Sequence, residues 1–101
     1  MRDLPIACTL GPADLSARRD TLLPGVIARA EQAETVADGV RWRFSPSDTL
    51  MLALAIMIDA ERRCCPFLRF QVVAEADNGP VWLEVTGPAG TREFLERLPR
   101  V

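Results

Sequence analysis

The sequence predicts an α+β fold, a two-layer sandwich in which a small mixed or antiparallel sheet packs against helices. Three observations carry this expectation. Val40-Arg41-Trp42-Arg43-Phe44 alternates apolar and charged residues, the period of a half-buried strand. Leu50 to Ile58 are nine consecutive apolar residues behind a helix-start signature, which reads as a core helix apolar on every side. Asp77-Asn78-Gly79 separates two β-rich runs and signals a hairpin, because successive residues there tolerate positive φ. Strand, helix, strand, hairpin and helix give the order β-α-β-β-α. That order is related to the ferredoxin-like sandwich without its last strand, here with an added N-terminal helical segment. A chain of 101 residues, 49% of them hydrophobic, supports one domain over 1–101.

The elements follow in order. Pro5 to Leu10 is a short apolar run carrying Cys8, an edge strand or extended arm that could take the missing strand's place. Gly11-Pro12 breaks it. Leu15, Leu22, Val26, Ile27 and Ala30 then form a loose helical stripe, read as reaching Glu34 with a kink or break at Pro24-Gly25. Asp38-Gly39 is a turn, and in the strand that follows Val40, Trp42 and Phe44 face the core. Ser45 can N-cap the central helix, Pro46 suits its first position and Asp48 its first turn, so the helix is expected from 46 to about 64. Pro66 stops it. Leu68 to Ala76 is the next strand. Val81 to Thr86 is the return strand, with Val81, Leu83 and Val85 on one face and Trp82 and Glu84 on the other. Thr91 is the expected N-cap of a last short helix carrying Phe94, Leu95 and Leu98.

Composition narrows the function classes. The formal net charge is −2, which argues against a nucleic-acid module with its basic stripe. No apolar run approaches the roughly 20 residues that span a bilayer, so no membrane association is expected. The absence of His removes imidazole acid–base catalysis and every His-containing metal site. The first ten residues hold an acid and a proline and do not read as a signal peptide. Three cysteines form no paired disulfide framework, and the expected setting is cytoplasmic with reduced thiols.

The residues that hint at chemistry close the central helix. Glu61 is three residues before Cys64 and four before Cys65, hence beside both if the helix persists. Asp59 is four before Arg63, the favourable acid-first spacing. On a continuous helix Cys64 and Cys65 point about 100° apart and share no ion unless the chain unwinds, which Pro66 encourages. The helix dipole is negative at this end, and Arg62, Arg63 and Arg69 offset it. Cys8, Cys64 and Cys65 would together suit a soft ion such as zinc, copper(I) or mercury, with Glu61 or water to complete the shell. A cysteine pair closing an apolar helix also serves simply as packing, since free cysteine behaves as a small hydrophobe.

Glu61-Arg62-Arg63-Cys64-Cys65-Pro66-Phe67-Leu68-Arg69-Phe70, with Ala7-Cys8-Thr9-Leu10 before it and Pro80 to Gly87 after it, resembles a family of small uncharacterised bacterial proteins carrying an E-R-x-C-C-x-F run. The resemblance spans most of the chain and implies no activity or cofactor. Three readings stay open. One is a small soluble domain binding a thiophilic ion or sensing oxidants through Cys8, Cys64 and Cys65. Another is a homodimeric interaction module using Trp82 and the open sheet face, with structural cysteines. The third is an enzyme acting on thiophilic compounds.

Overall fold

The computed structural model of the chain describes residues 23–97. In order they form α1 (Leu23–Ile27), β1 (Gln32–Val36), β2 (Gly39–Phe44), α2 (Leu50–Cys64), β3 (Arg69–Ala74), β4 (Val81–Thr86) and α3 (Thr91–Glu96). The four strands make one sheet in the order β1-β2-β4-β3, and every neighbouring pair is antiparallel. Helices pack against it, so the α+β class predicted above holds. Strands β2 and β3 run parallel on either side of β4, joined through α2. The N-terminal run Pro5 to Leu10, read as a possible strand, lies outside the described residues.

The register explains the core. Val40 sits opposite Val85, Trp42 opposite Leu83 and Phe44 opposite Val81, and these six side chains are buried. Phe70, Val72 and Ala74 extend the same three rows onto β3, where burial fades toward the sheet edge. Leu50, Leu54 and Met57 of α2, Leu23, Val26 and Ile27 of α1, and Leu95 of α3 complete one contiguous apolar cluster with this sheet face. The opposite face is polar: Arg41 lies across from Glu34 and Glu84, and Arg43 lies across from Trp82.

Two boundaries differ from the sequence reading. Residues 32–34, expected to be helical, belong to β1. This strand is exposed along nearly its whole length, so it carries no apolar stripe for periodicity to report. It is held by its antiparallel ladder with β2, from Gln32 opposite Arg43 to Val36 opposite Gly39, and two partly exposed ion pairs flank that ladder, Glu34 with Arg41 and Glu31 with Arg43 at 2.8 Å. The place expected for the N-terminal run, beside the first strand of the sandwich order, is taken by this hairpin strand. A two-residue turn links it to β2, with Asp38 at φ 58°. Gly39 then passes so close to β4 that a Cβ would sit 2.0 Å from the Val85 carbonyl oxygen.

The central helix starts at Leu50 rather than at Pro46. Ser45 does not cap it, because its hydroxyl donates instead to the Glu31 carboxylate at 2.5 Å. Nor is α2 buried on all sides. Met51, Leu52 and Ile56 are about half or more exposed (49%, 63% and 54%), while Leu50, Leu54, Met57, Ala60, Glu61 and Cys64 face inward. Thr91 also departs from its expected role. It is the first residue of α3, fully buried, and its hydroxyl donates to the Pro88 carbonyl at 2.6 Å while Gly90 holds the cap position at φ 99°.

Candidate functional site

The end of α2 builds a buried three-donor cluster. The chain leaves helical geometry at Cys65, whose φ of −125° and ψ of 77° turn its side chain off the helical spiral. Pro66 enforces the exit, since its ring disfavours helical backbone at the residue before it. Cys65 remains tied to the last turn by its N–H, which donates to the Glu61 carbonyl at 2.7 Å. Its own carbonyl accepts from the Leu68 N–H at 3.1 Å, closing a turn with Pro66 at the second position, where a fixed φ is favourable. The two sulfurs, which a continuous helix would splay, therefore come within 3.6 Å of each other.

The carboxylate of Glu61 joins them. One oxygen of Glu61 and the sulfurs of Cys64 and Cys65 all lie within 4.8 Å of one another. Glu61 is 5% exposed and each cysteine 2%. A carboxylate taken that far from water needs hydrogen-bond donors. One is the Leu23 N–H, at 3.1 Å from Oε2, a group that the start of α1 leaves without an intrahelical partner. Phe67, just past the cysteines, packs edge-on against Phe94 of α3 with ring centroids 5.1 Å apart. The loop after β4 also presses on this turn: a Cβ on Gly87 would lie 2.9 Å from the Phe67 carbonyl oxygen. The start of α1 thus contacts the cluster directly, while α3 and the loop after β4 close on the turn beside it.

No family model matches the chain, and no curated protein or solved structure matches it significantly.

The two described cysteines are in different states. Cys64 is a free thiol, as expected, but Cys65 is disulfide-bonded, which overturns the expectation that all the thiols are reduced. Cys8, the third cysteine of the sequence, lies outside the described residues. Asp59 meets Arg63 at 2.5 Å across one helical turn, as their spacing predicts. Arg62, Arg63 and Arg69 are all exposed. The negative end of the α2 dipole and the Glu61 carboxylate therefore make the cluster a favourable place for a cation. Two surface depressions lie elsewhere. One is lined by Arg41, Trp82 and Glu84 on the open sheet face, and the other by Val40, Trp42 and Leu95. The contribution of Leu23 was invisible in the sequence, since a backbone N–H carries no residue signature.

Proposed function

We propose that the reduced protein binds a soft metal ion, such as zinc or copper(I), through Cys64 and Cys65 with Glu61 beside them. The observation that carries this reading is the convergence of three donors at the end of α2, with sulfurs 3.6 Å apart. Two thiolates on one zinc, each at about 2.3 Å in tetrahedral geometry, have their sulfurs at about this separation. The sealed surroundings suit a closed, structural or storage site rather than a catalytic one, which keeps an open position for substrate. This weighs against the enzyme reading. Cys8 is the remaining cysteine of the chain and the natural further thiolate ligand.

The test is metal content by elemental analysis of the purified reduced protein, with one soft ion per chain expected. Cys64→Ser and Cys65→Ser should each lower affinity at least about 100-fold, since even outer-shell partners of a metal are worth about 10–100-fold. Glu61→Gln should lower it less if Glu61 orients the ligands and as much if it is one of them. Equal metal content in wild type and the double serine variant would end the proposal.

A second reading, self-association, is favoured by the apolar outer side of α2 formed by Met51, Leu52 and Ile56. The open sheet face is the weaker candidate, because its Trp82 is half-buried beneath the Arg41 guanidinium and its neighbours are charged.

A further inference from the structure

We propose that the oxidation state of Cys65 gates this centre, so that a disulfide and a soft cation compete for one sulfur. The inference rests on the ion-binding reading above and adds its regulation. Cys65 is disulfide-bonded while its neighbour Cys64 is a free, buried thiol. The two sulfurs are nevertheless already at the spacing of a shared ion, 3.6 Å. Glu61 is within reach of both and held in place by the Leu23 N–H. The donor set for the ion is therefore assembled with one donor chemically blocked.

The chemistry follows from what each sulfur can donate. Thiolate, not disulfide, is the metal ligand, so in the oxidised protein only Cys64 and Glu61 remain of the cluster. Two donors do not close a four-coordinate site. A small dithiol reductant breaks the Cys65 disulfide: each of its two sulfurs gains an electron and a proton, and the reductant's own sulfurs end joined as a disulfide. A divalent soft cation then displaces the thiol protons of Cys64 and Cys65, which pass to solvent. In the other direction, a bound cation holds Cys65 as a coordinated thiolate and slows its re-oxidation. Binding and oxidation are thus linked through one atom. The ion is retained under reducing conditions and released when a small-molecule disulfide takes two electrons from Cys65 and the sulfur it re-joins, the reagent leaving as two thiols.

The probe is cadmium(II), followed by its thiolate charge-transfer absorbance on the full chain. One sample carries the disulfide intact, verified by thiol alkylation and mass. The other is reduced and freed of reductant without air. The reduced protein should bind one ion, and the oxidised protein at least about 100-fold more weakly. Cys65→Ser and Cys65→Ala should both bind weakly and respond to neither oxidant nor reductant. Equal affinity of the oxidised and reduced wild-type protein would overturn the gate and leave ion binding standing. Absence of binding in the reduced protein would remove the ion-binding reading and the gate with it. A protein that forms no disulfide at Cys65 under mild oxidation would overturn the gate alone. The wild-type comparison needs no substitution, so an unstable variant cannot decide it.

Discussion

At the scale of single residues, burial and not residue type decides what α2 contributes. Leu54 and Ile56 are two positions apart in one apolar run, yet Leu54 is 1% exposed and Ile56 54%. Leu54→Ala removes packed methyl groups and leaves a cavity, so it should cost about 2–5 kcal/mol. Ile56→Ala should stay within about 0.5 kcal/mol, as exposed substitutions do. Urea denaturation of both variants measures the difference, and comparable losses would mean that the inward face of the helix is misplaced. The same contrast separates the cysteines from ordinary packing residues. Their burial alone is what small hydrophobes show. The departure of Cys65 from helical φ and ψ, which draws its sulfur toward Cys64 and Glu61, is what gives the cluster its donor geometry.

At the scale of elements, β1 and β2 show how pairing outweighs local preference. Gln32-Ala33-Glu34 would sit comfortably in a helix, since all three residue types are good helix formers. The backbone ladder with β2, which runs from Gln32 opposite Arg43 to Val36 opposite Gly39, selects the strand. Arg41 is shared between this hairpin and the next strand, with its guanidinium 4.4 Å from the centre of the Trp82 ring. A double-mutant cycle on Arg41→Ala and Trp82→Ala should give a coupling of about 0.5–1 kcal/mol, the size of an exposed cation–π contact. The Arg41–Glu34 ion pair should add little, because exposed pairs are screened and lose side-chain entropy. A coupling indistinguishable from zero in thermal unfolding would show the stacking to be incidental.

At the scale of the whole molecule, the sheet has one apolar and one charged face, and α2 keeps an apolar side turned outward. No helix among the described residues is long and apolar enough to cross a membrane. If the outward side of α2 joins two copies, sedimentation should give a dimer, and Leu52→Glu should return a monomer with unchanged circular dichroism. A wild-type monomer at high concentration would remove that reading. Read alone, the sequence determined the α+β class, the inward rows of β2 and β4, the hairpin at Asp77-Asn78-Gly79 and the end of the central helix at Cys64. Each is written in local periodicity or in turn residues with special φ, which depend on neighbours a few positions away. It also placed Glu61 beside both cysteines and named the unwinding that their convergence requires. Tertiary structure alone decided the rest: β1 as a strand, the late start of α2, the outward apolar side of that helix, and the Leu23 N–H on Glu61. Those outcomes depend on partners far along the chain, such as Arg43 and Ser45 for Glu31, or α1 for Glu61. No local pattern encodes a partner of that kind, because its contribution appears only once folding has closed the loop between them.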